Sequence, residues 1–165
     1  MRWLIFFILG CAYSLGKGQN SNLQKIRVEF KQGVQNKEIC VNNLEILEET
    51  ADSPVEKGYL AAYQIFMAKH ISNPFKKIHQ FKVGKNALEE LISKHPKDPE
   101  LRYIRLCIQY YAPKLLGYSS NIEEDKDFVM HNLYKIEDSQ TKQLIYRYLE
   151  GAKMYSSEEL ALLNR

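Results

Sequence analysis

The chain has 165 residues, of which 45% are hydrophobic and 26% charged, with five prolines, eight glycines and a formal charge of +3. This is one domain's length at ordinary globular composition, which excludes a low-complexity or disordered protein and allows a core that needs no staples. The near balance of charge also removes the electrostatic basis for a general nucleic-acid role.

Arg2, the apolar run Trp3 to Leu9 continuing weakly to Leu15, and the small-residue exit Gly16-Lys17-Gly18 read as a secretory signal peptide. The run stops well short of the roughly 20 apolar residues that a bilayer span needs. Cleavage after Gly18 leaves residues 19–165 as a single helical domain starting at Gln19. Arg2 and Lys17 depart with the signal and no acid does, which takes the charge from +3 to +1. A second cut is conceivable, because Ile8-Leu9-Gly10-Cys11 resembles a bacterial lipobox, in which cleavage precedes a cysteine that becomes lipid-modified. The expected location is therefore exported, periplasmic or secreted, with a lipoprotein anchored through Cys11 as the alternative. In an oxidising compartment Cys40 and Cys107 could form a disulfide or remain two buried thiols.

Along the mature chain, Leu23, Ile26, Phe30 and Val34 recur at helical spacing, and Gly33 and Asn36 help to end this first helix. Cys40, Leu44, Leu47 and Ala51 repeat the pattern on a second helix, which is acidic: Glu38, Glu45, Glu48, Glu49, Asp52 and Glu56 meet no Lys or Arg. Ser53-Pro54 restarts the chain as cap and first helical residue. From Tyr59 to Ala68 only Gln64 is polar, so this third helix has no side suited to water and should be buried. Asn73-Pro74 breaks it.

The next helix, Pro74 to Lys94, turns Ile78, Phe81, Leu88, Leu91 and Ile92 inward and lies in a basic stretch, where seven lysines between Lys69 and Lys97 face only Glu89 and Glu90. After the turn His95 to Pro99 comes a helix ending at Tyr111, apolar except for a stripe of Glu100, Arg102, Arg105 and Gln109. Ala112 to Asn121 is a loop punctuated by Pro113 and Gly117. Ser120 or Asn121 caps a helix with Ile122, Val129, Leu133 and Ile136 inward. Ser139 starts another, and Ser156 and Ser157 begin a short last one. No alternating strand appears. The expected class is all-α, with seven or so helices packed as antiparallel pairs.

Setting Pro96 as the closing proline of a repeat of about 34 residues places Phe75, Gly84 and Leu88 at a large aromatic, a small and a large apolar position. Ala68, Ile71 and Ser72 stand where the family has Trp-Leu-Gly. Residues 63–99 in this way resemble a tetratricopeptide repeat, which implies an α-solenoid-like domain. With its runs AKHISNPF and LLGYSSNIEEDKDF, the mature chain also resembles a group of small exported bacterial helical proteins. That resemblance implies a compartment and a fold class, and no activity.

No HExxH, zinc-spaced cysteines, CxxCH, GxSxG, Walker loop or GxGxxG occurs, so no metal or cofactor is expected. His70 ends the apolar helix near a break, where it suits either a cleft or the terminal carbonyls. His79, His95 and His131 read as surface residues. Arg102 and Arg105 need partners on so apolar a helix. Glu123, Glu124 or Asp125 would make them a brace, whereas a bound anion under Tyr118, with Lys114 nearby, would make them a ligand site. The expected function is an exported helical module that binds a protein or a small ligand through a groove between helices. An enzyme with a cleft of His70, Arg102, Arg105 and Tyr118 is the alternative. A membrane partner is expected only through a lipidated Cys11.

Overall fold

Side-chain caps and prolines set the helix boundaries. A computed structural model describes residues 22–163, so the signal-peptide and Cys11 expectations lie outside the described residues. Eight α-helices occur among them and no strand: α1 (22–33), α2 (Lys37–Thr50), α3 (Pro54–His70), α4 (Pro74–Lys94), α5 (Pro99–Tyr111), α6 (Ile122–Asn132), α7 (Ser139–Gly151) and α8 (Ser157–Leu163). Single 3₁₀ turns stand at Lys114–Leu116 and Leu133–Lys135. The all-α class expected from the periodicity is the class observed.

Asn36, Ser53, Asn73, Asp98 and Asp138 each accept bonds from the first free N–H groups of the helix that follows, and Ser53 forms a full capping box with Glu56. Each such cap contributes about 1 kcal/mol. Pro54, Pro74 and Pro99 occupy first helical positions, where a missing N–H costs nothing. Two details differ from the sequence reading. Asn36 caps α2 rather than closing α1, and Asn121 offers α6 no side-chain cap because it is bonded to Gln109 instead.

Helices α3 and α4 pack antiparallel, since Ala61 and Ile65 meet Gly84 while Lys57 and Leu60 lie beside Leu91 and Lys94. Their backbones approach so closely that a Cβ on Gly84 would stand 2.5 Å from the Ala61 carbonyl oxygen and 2.9 Å from the Ile65 nitrogen. Of the positions aligned with the tetratricopeptide pattern, Gly84 and Leu88 pack inward and Phe75 lies 83% exposed. Helix α2 packs on α3, and α5 packs against α3, α4 and α6. Every residue of α5 from Glu100 to Gln109 is buried, which makes it the most enclosed segment among the described residues. Leu101 and Ile104 are wholly buried there, each worth about 1.5–3 kcal/mol of transfer from water.

Candidate functional site

The polar stripe of α5 is buried, so each of its groups must find a partner or cost stability. Glu100 accepts two bonds from Arg27 on α1, Nε at 2.7 Å and Nη2 at 2.8 Å, and a third from the Tyr59 hydroxyl at 2.9 Å. Arg105 donates from Nε and Nη2 to the two oxygens of Asp125, at 2.7 and 2.8 Å, and from Nη1 to Glu89 at 2.8 Å. Arg102 bonds Glu124, holds its Nε 2.9 Å from Asp125 Oδ1 and lays its guanidinium over the Phe128 ring. Gln109 exchanges bonds with Asn121 and so fixes the end of the loop. One helix is thus joined through its polar side to α1, α3, α4 and α6.

Tyr118 completes the cluster by donating its hydroxyl to Glu89 Oε1 at 2.5 Å, with its ring edge-on to Phe81 and Lys85 over its face. Burial pushes the Tyr118 hydroxyl far above its ordinary value, and the bond to Glu89 adds to the shift. Burial alone would lower the Arg105 guanidinium, but the bonds and charge of Asp125, then Glu89, outweigh it and hold it above its usual value. Glu124 lies below the usual carboxylate range because Arg102 and then Asn121 donate to it.

Arg102, Arg105 and Tyr118 therefore come together as the sequence suggested, around anions that the chain itself supplies. Glu124 and Asp125 are two of the three acids expected as brace partners. Glu89 was missed; its only sequence signal is that it and Glu90 are the sole acids of an otherwise basic helix. Arg27 and Tyr59 were missed as well, since nothing local marks a partner so distant along the chain from Glu100.

The other candidates are scattered. His70 has a buried Nε2 without a hydrogen-bond partner, and among the described residues no bond joins it to the α3 carbonyls, Arg102, Arg105 or Tyr118. Lys114 is exposed in the 3₁₀ turn. Cys40 and Cys107 are free, buried thiols, so no disulfide joins them. Burial pushes Cys40 up to about 11 and Cys107 further, which keeps both protonated and unreactive at neutral pH. Among the described residues no group of three or more His, Cys, Asp or Glu could hold a metal ion.

Two surface features remain. An open hollow of about 400 Å³ lies between α3 and α4 with Leu60 and Leu91 among its lining, and its charged edge includes Glu90 and Lys94, already paired with each other. It contains none of the candidate site residues named from the sequence. The second feature is the start of α4, where every residue from 74 to 79 is exposed. Phe75 is 83% and Ile78 46% exposed, and Leu115, on the turn that leads to Tyr118, is 97% exposed. The expectation that Ile78 faces inward does not hold, because the inward row of α4 begins at Phe81 and continues through Gly84, Leu88 and Ile92.

No protein-family model, curated protein or solved structure matches this chain.

Proposed function

We propose that the protein is an exported, non-catalytic docking module whose binding face is the start of α4 together with the turn at Lys114–Leu116. The observation that carries this reading is the exposure of Phe75 and Leu115, the two most exposed large hydrophobic side chains among the described residues, on α4 and on the loop that Tyr118 ties to the middle of α4 through Phe81 and Lys85. Large apolar side chains that stand out in solvent on neighbouring segments are candidates for an interaction site. The engagement of Arg102, Arg105 and Tyr118 with Asp125, Glu124 and Glu89 supports a structural role for the groups that a catalytic cleft would have used. Export rests on the run from Arg2 to Gly18.

The test is site-specific photo-crosslinking in living cells, with a benzoylphenylalanine placed at position 75, at 115 or, as a control, at Glu48 on α2. The reading requires specific protein or lipid adducts from positions 75 and 115 and none from position 48. Adducts from position 48 alone, or equal labelling from all three, would contradict it.

A further inference from the structure

The geometry points to an anionic phospholipid surface as the partner of this face, an assignment that rests on the docking reading above. Phe75, Ile78, Lys82 and Lys85 follow one another at i, i+3, i+7 and i+10, so they form one stripe along α4. Lys85 lies over Tyr118, 5.0 Å from the ring centroid, so the loop that carries Lys114 and Leu115 reaches α4 at the Lys85 end of that stripe. Lys76 and Lys77 directly follow Phe75, and Lys69 stands just before the α3–α4 turn. The chain from Lys57 to Leu88 contains no acidic residue, and none of Lys69, Lys76, Lys77, Lys82 and Lys114 forms an ion pair among the described residues. Phe75 and Ile78 thus stand in a field of uncompensated ammonium groups, with Leu115 as a second exposed apolar tip on the neighbouring loop.

Three observations favour lipid over an acidic protein. First, the cations are all lysines: no arginine occurs between Lys57 and Leu88. Protein interfaces enrich arginine and deplete lysine, because a planar fork fixes a specific partner, whereas lysine acts as a point charge in a diffuse potential. Second, a bilayer accepts Phe and Leu tips without a preformed pocket, while long lysine stems lie along the apolar layer with their ammonium groups among phosphates. Third, the acidic helix α2 packs on α3, and no ion pair joins α2 to α4 among the described residues. The charge asymmetry this creates would orient the domain with α4 toward an anionic surface. No helix among the described residues is long and apolar enough to cross a membrane, so the contact is peripheral, and it requires no lipid on Cys11.

The experiment uses the full chain with Phe75→Trp in a Trp3→Phe background, so that the reporter is the only tryptophan. Phe75 is 83% exposed, so the change should leave the fold intact. The probes are vesicles of phosphatidylcholine alone and with about one-third phosphatidylglycerol. We expect a blue-shifted emission, quenched by brominated acyl chains, with the anionic vesicles only, and reversed by about half-molar NaCl. Lys76→Glu, Lys77→Glu and Lys82→Glu together should weaken partitioning about tenfold or more, while Glu48→Lys changes it less than about twofold. Emission unchanged by anionic vesicles, or shifted equally by neutral ones, overturns the lipid assignment. If that result accompanies protein adducts from positions 75 and 115, the docking reading stands with an acidic protein as partner; if those positions give no adducts either, both fall.

Discussion

Helix α5 and the start of α4 each place polar groups beside apolar ones, in opposite settings. On α5 the polar stripe is enclosed, and its charges are met inside the chain: Glu100 by Arg27 and Tyr59, Arg105 by Asp125 and Glu89, Arg102 by Glu124 and Asp125. On α4 the stripe from Phe75 to Lys82 lies in solvent and its lysines meet no acid among the described residues. Burial explains the difference, because an unpaired charge in the interior costs several kcal/mol whereas a surface lysine loses almost nothing by standing alone. Charges that serve the fold are therefore recognised by their partners, and charges available to something outside it by the lack of them.

Breaking the interior pairing should have the largest effect on stability. Asp125→Ala leaves two buried guanidinium groups short of their shared carboxylate and should cost about 3–5 kcal/mol in urea unfolding. Gly84→Ala comes next: its Cβ meets backbone rather than a yielding side chain, so α3 and α4 must separate. Overpacking of about 1–3 kcal/mol is partly offset by the roughly 1 kcal/mol better helix propensity of alanine, for a net loss of up to about 2 kcal/mol. Tyr118→Phe keeps the ring against Phe81 and removes only the bond to Glu89, for about 1 kcal/mol. At the exposed face, Phe75→Ser with Leu115→Ser should stay within about 0.5 kcal/mol of the wild-type chain. A loss above ~2 kcal/mol from that last pair would show that the start of α4 serves the fold after all.

Much of the architecture is legible in the sequence because its punctuation is local. Pro54, Pro74 and Pro99, each after a capping side chain, give the boundaries of three helices residue by residue. The brace is half legible: the pairing of Arg102 and Arg105 with Glu124 and Asp125 follows from the cost of a buried guanidinium and the acids at the start of α6. Glu89, Arg27 and Tyr59 are not, since side-chain contacts between distant segments depend on how helices cross. The exposed face is the least legible part. Helical periodicity places Ile78 in line with Phe81, and only the packing of α4 against α3 and the 114–118 turn reveals that the covered row starts one turn later.

The most direct test measures stability and vesicle binding on one protein, the Phe75→Ser, Leu115→Ser variant. We predict that urea unfolding is unchanged within about 0.5 kcal/mol while partitioning onto anionic vesicles falls about tenfold or more. Partitioning equal to that of the wild-type chain, or lost only in step with unfolding, would contradict it.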